Sequence, residues 1–133
     1  MGYLRENAFT LLSTTTGIDA TATGSTELYE VPAGKTMIPT MIVIRCTAFT
    51  VGSKAIDAVA SFGGNSATYD DFLNSKTYDV DAVEFIATTF PMPTLTYTGQ
   101  VTQDAGDSFR VIIETASDAD TETWAVDLFG YLV

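Results

Sequence analysis

The sequence predicts an all-β protein, an antiparallel jelly-roll sandwich of about eight strands in two sheets. Three observations carry that expectation. Short runs of alternating or continuous apolar residues recur between turn signals, and no stretch holds an amphipathic helical period of useful length. Threonine occurs 22 times, and it loses side-chain freedom in a helix but sits well on a pleated surface. Two turn sequences, Pro32-Ala-Gly-Lys35 and Asp104-Ala-Gly-Asp107, each precede a long hydrophobic strand, once per half of the chain, as two wound Greek keys require.

The elements follow in order. Residues 1–25 read as an extended N-terminal arm, because Ser13–Ser25 is rich in Thr, Ala, Gly and Ser and shows no clear period beyond a short Ala8–Leu12 run. Residues 26–133 read as the jelly-roll domain. Its first feature is a hairpin with arms near 26–32 and 36–51, where Gly34 takes the positive φ that position i+2 of a type II turn needs. The second arm is the longest strand expected. Pro39 cannot donate to a ladder, so it marks a bulge or an edge. Both faces of that arm are apolar, Ile38, Ile42, Ile44 and Cys46 on one parity, Met37, Met41, Val43 and Phe49 on the other. A strand with one wet face alternates more cleanly, so its second face is expected in the interior or against another subunit.

Ala55–Phe62 reads as a strand ended by Gly63-Gly64-Asn65. Ser66–Asp81 reads as a long crossing loop with at most one helical turn at Tyr69–Leu73. Val83–Phe90 and Leu95–Val101 are further strands, separated by Pro91-Met-Pro93. Ser108–Ala116 alternates Phe109, Val111 and Ile113 with Arg110, Ile112 and Glu114. An acidic loop at 117–122 leads into a final strand, Thr123–Val133, with Trp124, Val126, Leu128 and Leu132 on one face.

Composition narrows the function. At 133 residues the chain is one domain by size, 46% hydrophobic and 17% charged, which excludes a disordered tail. The net charge is −11, and the six basic residues are scattered, so neither nucleic acid nor an anionic membrane is an expected partner. No secretory n-region precedes an apolar run, which points to synthesis in a cytoplasm. Histidine is absent, which removes Ser/His/Asp catalysis and the commonest metal ligand. Cys46 lies in an apolar strand and reads as an inert buried thiol. An acid-pair hydrolase needs one acid raised in pKa by an apolar pocket, and Asp127 and Glu114 are the carboxylates that sit in strand patterns. Asp118, Asp120 and Glu122 offer hard oxygen ligands suited to Ca²⁺, although no EF-hand pattern surrounds them. Tyr69, Phe72 and Tyr78 are the aromatics that a carbohydrate-binding module would use.

Leu28-Tyr-Glu-Val-Pro-Ala-Gly-Lys-Thr36 followed by a strand, with Ala105-Gly-Asp-Ser-Phe-Arg-Val111 later, resembles the jelly-roll structural proteins of tailed bacteriophages. These are capsid decoration (cement) proteins and fibre or tail modules; trimeric jelly rolls of the tumour-necrosis-factor and C1q type carry similar turns. The resemblance implies a non-enzymatic virion subunit without a cofactor, a homotrimer that binds the major capsid protein or another virion subunit. It gives Met37, Met41, Val43, Phe129 and Tyr131 the role of subunit contact, since homo-oligomer interfaces favour apolar, aromatic and Met side chains. It also lays the 1–25 arm across a neighbouring shell subunit. The alternative is a carbohydrate- or Ca²⁺-binding sandwich in a fibre or tail.

Overall fold

The computed structural model of the chain describes residues 8–91 and 102–133. Its strands are β1 (Thr10–Asp19), β2 (Gly24–Glu30), β3 (Met37–Thr50), β4 (Ala58–Gly63), β5 (Leu73–Tyr78), β6 (Glu84–Thr89), β7 (Ser108–Thr115) and β8 (Thr121–Leu132). They form two four-stranded antiparallel sheets, β1-β8-β3-β6 and β2-β7-β4-β5. The expected eight-stranded sandwich is what the chain adopts, with no helix among the described residues.

Each strand of the first half pairs with its mirror in the second: β1 with β8, β2 with β7, β3 with β6, β4 with β5. One long hairpin produces that nesting when it is rolled so that alternate rungs fall in alternate sheets. The core between the sheets is built from Trp124, Val126 and Leu128 of β8 and Ile42, Ile44 and Cys46 of β3 on one side, and Phe109, Val111 and Ile113 of β7 with Phe62 of β4 on the other, joined by Phe72. Phe72 meets Phe109 edge-on at 5.6 Å, and Tyr78 meets Trp124 in the same way at 5.1 Å. Burying each such ring contributes about 2–3 kcal/mol.

Both expected turns form. Lys35 N–H donates to the Pro32 carbonyl at 3.2 Å with Gly34 at φ 73°, and Asp107 N–H donates to Asp104 at 2.9 Å with Gly106 at φ 89°. The hairpin across the first turn does not form. β2 and β3 lie in different sheets, because Val31 pairs instead with Gly106 and Asp107 next to β7, and Met37 pairs with Leu132 and Gln103. The Pro32–Lys35 turn is thus a corner where the chain changes sheets.

The N-terminal arm is corrected over its described part. Thr10–Asp19 pairs with β8 along its length, and Gly24 already opens β2. Its period is hidden by register shifts between Leu11 and Ser13 and between Thr15 and Ile18, the second containing Gly17 at φ 71°. Each shift moves the inward positions by one. The expected loop at 66–81 contains β5, whose Leu73 and Tyr78 are buried while the four residues between them are exposed. That edge strand has no alternation to read. The strand expected at Leu95–Val101 lies outside the described residues.

Candidate assembly surface

The outer face of the β1-β8-β3-β6 sheet is apolar in its own sequence terms. β3 and β8 put Ile42, Ile44, Trp124, Val126 and Leu128 inside, so Met41, Val43, Asp127, Phe129 and Tyr131 point outward and are half-buried by their neighbours. The register aligns Leu11, Phe129 and Met41 on one rung. Phe9 stacks on Phe129 at 5.7 Å and meets Tyr131 edge-on at 5.9 Å, extending an aromatic ridge to the β1 edge. Charge on this face is nearly neutralised at its centre. Arg45 pairs with Asp127 at 3.0 Å, and Thr14 donates to the same carboxylate oxygen at 2.8 Å. The other ionic strand residues of this sheet that reach solvent, Asp19 and Glu84, sit at its margins.

At the β6 margin an open pocket of about 340 Å³ is lined by Arg45, Cys46, Thr47, Val83, Glu84 and Phe85. Phe85 is 58% exposed and Val83 61%. Burial pushes the Cys46 thiol up, and its Sγ donates to the Ala48 carbonyl, so this cysteine is held as a protonated thiol.

Of the five residues expected at a subunit contact, Met41, Val43, Phe129 and Tyr131 share this outer face, and Met37 does not. Met37 is fully buried in the core, because the shift between Pro39 and Met41 reverses the parity of β3. Pro39 does mark a bulge, and the bulge carries the correction. The sequence pattern also missed Phe9, Leu11, Val83 and Phe85, whose exposure depends on β1 and β6 being the edges of one sheet.

The expected Ca²⁺ group comes apart. Asp118 accepts the Ala55 and Ile56 N–H groups at 2.8 Å each, bonds that hold its carboxyl below the usual range. Asp120 lies against Gly52 on the exposed loop. Glu122 is fully buried in β8 and accepts Trp124 Nε1–H at 2.9 Å. Among the described residues no three His, Cys, Asp or Glu side chains converge as a metal site. Glu114 and Asp127 also separate. Glu114 accepts from Ser61 and Ser75 on the β2-β7-β4-β5 sheet, whereas Asp127 serves Arg45 on the other. Phe72 and Tyr78, expected as sugar-facing aromatics, are core residues, and burial raises the Tyr78 phenol to about 12. Tyr69 lies under the Arg110 guanidinium at 5.8 Å.

No family model and no curated protein matches this chain. Solved structures do. A chain of the cyanophage Pam1 capsid asymmetric unit aligns with a TM-score of 0.60, over 96% of this chain and 87% of its own, at 11% identity. A chain of the acid-stable capsid of the Helicobacter pylori bacteriophage KHP30 aligns with a TM-score of 0.51, over 96% of each chain, at 13% identity. At such identities the likeness is one of fold: this chain is built on an all-β architecture that also occurs in phage capsids.

Proposed function

We propose that this chain is a structural subunit of a phage particle, a trimeric jelly-roll decoration protein that seats on the capsid shell and stabilises it. The observation that carries the reading is the likeness in fold, over nearly the whole chain, to chains from two phage capsids. The nested strand order agrees with a jelly roll, which winds two Greek keys into two sheets. The outer face with Met41, Val43, Phe129 and Tyr131 supplies the subunit contact in this reading. The net charge of −11 suits a shell surface that presents Lys and Arg, whose attraction speeds and orients docking. The partner is then the major capsid protein, and the chain resides on the virion.

Co-sedimentation with empty shells tests this directly. The protein is expected to pellet with shells at a fixed stoichiometry and to raise the temperature at which they open. Failure to pellet at micromolar concentration, with shells of its own phage, overturns the reading.

A further inference from the structure

Among the described residues, the two edges of the β1-β8-β3-β6 sheet differ from the other edges of the sandwich. Natural edge strands are blunted by charge, and β2 and β5 follow that rule with Glu27, Glu30 and Lys76. β1 and β6 do not. Residues 8–18 and 85–91 contain no charged side chain, in a chain whose net charge is −11. Among the described residues, five of the eight large hydrophobic side chains left exposed belong to or flank these two edges: Phe9, Leu11, Val83, Phe85 and Phe90.

We infer that these edges are made for each other, so that β1 of one copy lies antiparallel beside β6 of the next and the copies close head-to-tail into a ring. The inference rests on the trimeric reading above and adds, beside the outer-face contact named there, a strand-to-strand contact at the sheet edges. β1 and β6 are three antiparallel steps apart in the sheet, so a neighbouring copy in the same orientation presents β1 antiparallel to β6. The rungs then decide what meets what. One rung runs Thr15–Val126–Ile44–Ala87 and another Ile18–Trp124–Cys46–Glu84, each crossing all four strands. Between them, β1 holds two extra residues, Thr16 and Gly17, in an irregularity of its register, and the open pocket lies at Phe85 of β6. At the other end, Leu11 shares its rung with Phe129 and Met41, the residue before the Ile42–Thr89 pair, which places Phe90 at the same height. A ring whose axis runs along the strands brings equal heights together. The irregular stretch of β1 then meets the pocket, and the Phe9–Leu11 ridge meets Phe90.

Area and charge favour a second copy as the occupant. The five side chains expose roughly 100 Å² each, on the order of 500 Å² together. A standard interface of about 1,600 Å², somewhat over half of it apolar, removes roughly 900 Å² of apolar surface. The named side chains thus supply more than half. Strongly acidic copies repel one another, and the uncharged edges are where that repulsion is least.

A head-to-tail contact is heterologous, with two different patches meeting, whereas an isologous contact uses one patch twice. Mixing tests the difference. Wild type is expected as a trimer by native mass spectrometry, and Leu11→Asp and Phe90→Asp are each expected as monomers with at least tenfold weaker association. Both positions are exposed, and unchanged far-ultraviolet circular dichroism checks that the variants fold. In an equimolar mixture, the intact β1 edge of F90D meets the intact β6 edge of L11D, so a mixed dimer is expected. A mixture that stays monomeric, or either variant remaining a trimer alone, overturns the inference. So does a wild type that is monomeric throughout. Shell pelleting by wild type is scored separately, so the ring can fail while the shell-binding reading stands, and the reverse.

Discussion

Asp118 sits in the turn between β7 and β8 and holds the chain before β4 by accepting two backbone N–H groups. Its carboxyl is depressed by those bonds, so the charged form is preferred in the folded state. The associated stability is present above the unfolded value of 3.8 and is lost as pH falls through the lower folded value. Asp118→Asn removes the charge at every pH. The variant is expected to melt below wild type at pH 7, with the gap closing as pH falls from 3.8 through the lower folded value, as thermal melts across pH will show. Lys54 is another residue whose role the fold assigned. Burial pulls its ammonium down, but Asp57 at 2.7 Å, with Glu122 and Asp79, pushes it above its ordinary value. It also donates to the Val80 carbonyl at 2.6 Å. A polar loop lysine in the sequence thus becomes a pin between the β3–β4 and β5–β6 connections.

At the scale of elements, register shifts explain most departures from the sequence pattern. The shift at Pro39 turns Met37 inward, and the two shifts in β1 bury Ile18 while leaving Leu11 out. Gly130 holds the first of these geometries in place. It pairs with Thr10 on one side and Pro39 on the other, and a Cβ there would overlap the Ile38 carbonyl. Backbone cannot move aside as a flexible side chain does, so Gly130→Ala is expected to cost about 1–3 kcal/mol in urea unfolding with an unchanged m-value. A stability equal to wild type would show that the β3 bulge is free to shift. The β7 and β8 core rows were legible from alternation alone, because each strand has one dry and one wetter face. β5 was not, because an edge strand anchored only at its ends leaves no period in its residues.

For the whole molecule, charge acts in opposite directions at two contacts. Copies of a chain at net −11 repel, while the proposed shell partner attracts. Raising salt from about 10 to about 150 mM shortens the screening length from about 30 to about 8 Å. Self-association is expected to tighten over that range, by sedimentation velocity, while shell binding weakens in the pelleting assay. Matching slopes of the same sign would remove electrostatics as the agent of shell docking.

What the residues alone determined is local: strand content, the positive-φ turns at Gly34 and Gly106, and the inward rows of β7 and β8, each set by neighbours a few positions away. What the tertiary structure decided is which strands share a sheet and which of them become its edges. Pairing joins residues more than a hundred positions apart, such as Leu11 with Phe129, and a one-residue bulge reverses every side chain after it. For the same reason the uncharged runs at 8–18 and 85–91 were ordinary in the sequence, and their meaning depends on β1 and β6 lying, among the described residues, at the two margins of one sheet.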